Sequence, residues 1–126
     1  MPDAAALEHY KQGLSLYGEG KYTLAIGEYE KALAIDPEWS DALQAKGMAQ
    51  MHSGKLEDAL KTLKRVTEMA PEDPLAFTSL SMAYVRLENI EEAEKAQAQA
   101  RLLSWKQELK TNPDAPPPDG GMPVQQ

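Results

Sequence analysis

The sequence predicts an all-α protein made of three consecutive helical hairpins arranged as a solenoid. Three observations carry this. A period of 34 residues runs through the chain: Ala25, Ala59 and Ala93 share it, and so do Gly13, Gly47 and Ser81. Within each period, apolar residues recur at helical spacing on both sides of a short polar turn. The chain is also rich in Ala, Leu, Glu and Lys, which favour helices, and poor in the β-branched residues that favour strands.

Further columns follow the same step. Gly20 and Gly54 are matched by Glu88 in the third unit, and Pro37 and Pro71 by Trp105. Tyr22, Leu56 and Ile90 form an apolar column, as do Ala32, Val66 and Ala100. After a lead-in at 1–5, the first unit occupies 6–39. Its helices run from Leu7 to Tyr17 and from Tyr22 to Ile35, with Gly18-Glu19-Gly20-Lys21 as the turn. Asp36-Pro37 stops the second helix, because a residue before proline is pushed out of the α region. The second unit, 40–73, repeats the plan with Ser53-Gly54-Lys55 as its turn and Ala70-Pro71 as its stop. The third, 74–110, opens on Asp73-Pro74, an N-cap followed by proline at the first helical position. Its turn is Glu88-Asn89. The small columns let paired helices approach closely; a bulky side chain there would overpack, at a cost of about 1–3 kcal/mol.

Here the chain resembles the tetratricopeptide repeat family. Ala25-x-x-x-Tyr29 and Ala59-x-x-x-Leu63 match its second-helix signature, and Phe77, Leu80, Ser81 and Tyr84 match its first-helix signature. The first repeat departs from the pattern: His9 and Gln12 stand where a large aromatic and a Leu are usual, and Lys46 replaces that Leu in the second. The resemblance covers about residues 4–105 and implies a right-handed superhelical array that holds another polypeptide.

The end of the array shows in its second helices. Ile26, Tyr29 and Leu33 of the first repeat become Glu94, Gln97 and Arg101 in the third, so the third hairpin is expected to cap its own array. No proline stops the last helix at the repeat boundary. Ala98, Leu102, Trp105 and Leu109 form one stripe on its extension. That stripe either folds over the edge of the third hairpin or serves self-association. Residues 111–126, with Pro113, Pro116, Pro117, Pro118, Gly120 and Gly121, read as a disordered, solvated tail. Pro113-x-x-Pro116 also spells a proline-recognition ligand, but lacks the adjacent basic residues.

In the family, the first helices line a concave groove. Carried over, the apolar floor is Leu7, Tyr10, Leu14, Tyr17, Met48, Met51, Leu75, Met82 and Val85. The polar points are Lys11, Asp41, Gln44, His52, Thr78, Ser79 and Arg86. Such a Met-rich surface adapts to varied apolar partners. The resemblance thus implies an adaptor that grips an apolar or amphipathic segment; the alternative is a self-assembling scaffold. Family members that hold acidic chaperone tails use Lys, Asn and Arg where this chain has Tyr10, Leu14, Ala45, Leu75 and Ser79, so no such affinity is expected.

Other classes are disfavoured. Thirteen basic against twenty acidic residues give a net charge of −7, which repels nucleic acid and anionic membranes. No apolar run approaches the ~20 residues a bilayer requires, and the N-terminus reads as no signal peptide. Cysteine is absent, so disulfides and thiolate metal sites are excluded, in keeping with a cytoplasmic protein. His9 reads as a core or edge residue and His52 as groove-facing or exposed, with no converging ligands for a metal. Glu28, Glu30, Glu91 and Glu92 read as solvated acids. Neither a positioned nucleophile nor a phosphate-binding loop is present, so no enzyme, cofactor or metal is expected.

Overall fold

The computed structural model describes residues 2–118. Six helices follow one another: α1 (Ala4–Gly18), α2 (Tyr22–Ile35), α3 (Ser40–His52), α4 (Leu56–Met69), α5 (Pro74–Arg86) and α6 (Ile90–Leu109). No strand occurs among the described residues. α1 pairs with α2, α3 with α4 and α5 with α6, and each hairpin stacks on the next through α2–α3 and α4–α5. The first helices α1, α3 and α5 also neighbour one another along one face. No helix among the described residues is long and apolar enough to cross a membrane.

The hairpin turns explain the glycine column. Lys21 N–H reaches back to Leu16 C=O at 2.9 Å, and Gly20 N–H to Tyr17 C=O at 3.0 Å. The same pair recurs as Lys55 to Gln50 and Gly54 to Met51, and again as Asn89 to Tyr84 and Glu88 to Val85. This closure needs one left-handed residue, which glycine adopts without steric cost. Gly20 (φ 79°) and Gly54 (φ 88°) supply it; in the third turn Glu88 holds φ 62°.

The small column has an equally direct cause. A Cβ on Gly13 would lie 2.4 Å from Cε1 of Tyr29, and one on Gly47 2.6 Å from Cδ2 of Leu63. Each glycine therefore receives the side chain that anchors its repeat. In the third repeat the smaller contact admits a side chain, and Ser81 Oγ donates to the Ala93 carbonyl at 2.8 Å.

Two apolar clusters fill the array. One joins repeats 1 and 2 around Ala25, Ile26, Tyr29 and Ala49, with Tyr10, Tyr17 and Tyr22 packed against it. The other joins repeats 2 and 3 around Met51, Leu63, Val66, Leu80 and Tyr84. Each large side chain so buried contributes about 1.5–3 kcal/mol. Asp73 caps α5 as its sequence suggests, its carboxylate accepting from Leu75 N–H at 3.0 Å.

The chain beyond α6 departs from the solvated tail expected of its composition. Around 112–115 it turns back, and Trp105 Nε1 donates to the Ala115 carbonyl at 3.0 Å. Ala115 is only 6% exposed. The rest of the expected tail, 119–126, lies outside the described residues.

Candidate partner-binding groove

The candidate groove lies on the face along which α1, α3 and α5 neighbour one another, and its residues are not equally available. Leu14, Leu75, Met82 and Val85 are 44%, 57%, 42% and 50% exposed. Leu7 and Met48 are half-buried beside them. Lys11, Asp41, His52 and Arg86 stand exposed around this floor, and Thr78 is half-buried within it.

Two residues expected to line the groove, one on its floor and one a polar point, are buried. Met51 is 1% exposed, in the cluster joining repeats 2 and 3. Its register leans toward the following repeat, and it shares a cluster with Leu80, Ala83 and Tyr84 of α5. Val85 holds the same register in the third repeat, has no further hairpin beside it among the described residues, and stays exposed. Ser79, expected as a polar point, is also 1% exposed, with Gln44 of the preceding repeat bonded to its hydroxyl. Its register leans backward: Lys11, at the same register of the first repeat, is exposed. Gln44 is therefore occupied by a repeat-to-repeat tie, and its Oε1 is buried without a partner among the described residues.

The aromatic residues of repeat 1 are partly consumed by packing. Tyr10 lies 4.6 Å from the Trp39 ring and 6.0 Å from Tyr29, centroid to centroid. Burial and the nearby Asp41 raise its phenol pKa. Tyr17 meets Tyr22 edge-on at 5.3 Å and His52 at 5.6 Å, while His52 stacks on Tyr22 at 5.2 Å and 21°. Trp39 and Tyr22 were not among the expected site residues. Trp39 precedes α3 and Tyr22 opens α2, so neither falls on a first-helix stripe. Their aromatic character was the one available signal.

His9 and Glu28 form a pair away from the groove. Nδ1 of His9 lies 2.9 Å from Oε1 of Glu28, and Lys31 Nζ lies 3.1 Å from Oε2. These two partners hold the Glu28 carboxyl below the usual carboxylate range, so Glu28 is a paired acid and not a solvated one.

The stripe on α6 is half-buried at Ala98, Leu102, Trp105 and Leu109, with Trp105 engaged by Ala115. The inward residues of this helix are Ala93, Ala96, Ala100 and Leu103. Glu94 and Arg101 are exposed and Gln97 is half-buried, where the equivalent Ile26 and Tyr29 of repeat 1 are buried.

Comparison with known proteins places this architecture. The tetratricopeptide repeat profile matches residues 16–82. The chain belongs to the tetratricopeptide repeat family. It is 26% identical over 117 residues to the photosystem I assembly protein Ycf3 of Synechococcus sp. (strain CC9605), covering 86% of this chain and 68% of that protein. It is 30% identical over 83 residues to sperm-associated antigen 1 of Mus musculus, but that stretch is 66% of this chain and 9% of the mouse protein. Among solved structures it is similar to the second TPR of Spaghetti (RPAP3) bound to an HSP90 peptide, SRMEEVD, with a TM-score of 0.75 and 25% identity, covering 79% of this chain and 93% of that one. The Yersinia enterocolitica translocator chaperone SycD shares the fold at a TM-score of 0.78 and 19% identity, covering 86% and 83%. The family match makes this tetratricopeptide array a protein-interaction module.

Proposed function

We propose that this array is an adaptor whose concave face grips an apolar or amphipathic segment of a partner protein. One observation carries the reading. Four of the seven large apolar side chains left exposed among the described residues, Leu14, Leu75, Met82 and Val85, lie on the same face of α1 and α5. Scattered single apolar residues need no explanation, but a set on one concave face does. Met48 on α3 joins the two ends of the set, and flexible methionines suit such a surface to more than one sequence. The similar structure with a peptide bound supports peptide binding by this type of array.

The chemistry recognised differs from a carboxylate clamp. Leu14 and Leu75 offer no charge, Tyr10 packs on Trp39, Ala45 packs against the first core, and Ser79 is buried under Gln44. An acidic tail would find Lys11 and Arg86 at the rim but no cation at the clamp positions themselves. Self-assembly through the α6 stripe is the weaker reading, because the stripe is half-buried and the Trp105 N–H is already bonded within the chain.

The test is selection from a random peptide library displayed on phage. The wild-type chain should enrich sequences with apolar residues at helical or alternating spacing, and should leave SRMEEVD-type acidic tails behind. A Met48→Glu, Met82→Glu double variant with the same helical circular dichroism should lose that enrichment by about tenfold or more. Equal enrichment by both proteins, or enrichment of acidic tails, overturns the groove assignment.

A further inference from the structure

The outer face of α6 differs from every other second-helix face in what lies on it. In repeats 1 and 2 that face meets the first helix of the next hairpin. In repeat 3 it meets an irregular strap, residues 112–118. Pro116 and Pro118 of the strap border a notch of about 250 Å³, whose other walls are Thr78, Gln97, Arg101, Ser104, Trp105 and Glu108.

The pairing between strap and helix is chemically selective. An indole N–H is a donor and never an acceptor. A run of prolines is the reverse: it offers carbonyls and has no N–H to give. Ala115 presents its carbonyl to Trp105 Nε1 at 3.0 Å and packs its methyl against the protein. The prolines that follow hold Ala115, Pro116 and Pro117 away from the α region, so the strap beyond its 112–115 turn is extended without a partner strand to make it so. Proline-recognising domains use the same ingredients, an aromatic wall and a segment that loses little entropy on docking. The strap itself is lightly held: beyond α6, Ala115 is the one buried residue among those described.

We infer that the outer face of α6 is a second peptide-binding site, centred on Trp105, meeting the groove only at Thr78 and selective for an extended Ala-Pro-type segment. The chain's own residues 112–118 fill it in the free protein. A proline-rich segment of a partner binds there by displacing the strap. The notch beside Pro116 and Pro118 leaves room that the strap does not fill, so a partner with larger residues at those points holds on better than the strap does. The site shares Thr78 with the groove, but its anchor, Trp105, is no groove residue, so the inference does not rest on the groove reading.

The test uses the full-length chain and the two indole N–H signals in nitrogen-15 NMR. Ala115→Asp places a charge where the methyl is buried and should release the strap. The Trp105 signal should then move toward its position in a free peptide, while the Trp39 signal stays. Adding a synthetic peptide of residues 111–118 should return the Trp105 signal to its wild-type position in a saturable way. The same peptide with Pro116 and Pro118 changed to Ala should need about tenfold more to do so. If Trp105 does not respond to Ala115→Asp, the strap does not sit on it and the inference fails. If Trp105 responds but millimolar peptide does not restore it, the strap is a mere end-cap and the inference again fails. Loss of the Trp39 signal would mean the variant has unfolded, and Ala115→Ser, which adds one hydroxyl and no charge, then takes its place in the same titration.

Discussion

The first hairpin and the third have the same backbone plan but end against different neighbours. In the first, Tyr29 drops its ring onto Gly13 and is fully buried, because α3 closes over α2. In the third, the equivalent pair is Ser81 and Gln97, and what lies over α6 is the strap. The left-handed turn residue changes as well, from Gly20 to Glu88. The difference teaches that the hairpin geometry belongs to each repeat, whereas the polarity of its faces is set by what stacks on them.

The largest expected effect breaks the comparison at its most buried point. Tyr29→Ala removes the ring that fills the contact between repeats 1 and 2 and should cost about 3–5 kcal/mol. Gln97→Ala, at the same position of repeat 3, should change stability by less than about 0.5 kcal/mol. Urea unfolding of the two variants followed by circular dichroism checks this. Equal losses would mean that the third hairpin is anchored as the first is, against its half-exposed Gln97.

A smaller effect sharpens the comparison at the small column. Gly13→Ala sets a Cβ 2.4 Å from a Tyr29 ring held on all sides, so something must shift, at about 1–3 kcal/mol. Ser81→Ala keeps the Cβ and loses one buried hydrogen bond to the Ala93 carbonyl, at about 1 kcal/mol. Thermal unfolding should rank Gly13→Ala below Ser81→Ala; the reverse order would show that the ring gives way more easily than its burial suggests.

These contrasts also explain what the sequence makes legible. The period, the turns and the closing prolines can be read because each is a local demand: a left-handed φ at Gly20 and Gly54, a missing Cβ at Gly13 and Gly47, a proline that cannot continue a helix. The capping change from Ile26 and Tyr29 to Glu94 and Gln97 can be read for the same reason, as it compares like positions. The candidate groove was only half legible. A helical stripe gives the direction of a side chain from its own axis but not the distance to the next hairpin. Met51 and Ser79 therefore look like groove residues in the sequence and are core residues in the fold, while Val85 and Lys11, at the same registers on the outer repeats, remain exposed. The strap was not legible at all. Its composition correctly forbids a helix, but the meeting of Ala115 with Trp105 depends on where α6 ends and which way the chain turns next.

The smallest expected effect concerns the turns. Glu88 holds φ 62°, a conformation that an L side chain adopts at a cost of about 1–2 kcal/mol and glycine adopts freely. Glu88→Gly relieves that cost but makes the unfolded chain more flexible, which gives part of the gain back. The net expectation is a stabilisation of about 0.5–1 kcal/mol. Gly54→Ala runs the opposite way: nothing crowds a Cβ there, yet φ 88° disfavours it, so about 1 kcal/mol should be lost. Because Glu88 is exposed and makes no ion pair among those found in the described residues, no packing change accompanies its replacement. Opposite signs for the two substitutions in chemical unfolding would show that the third turn carries strain the other two avoid. A loss of stability for Glu88→Gly would show instead that the carboxylate supports the turn, and that the third hairpin differs from the others by more than its neighbours.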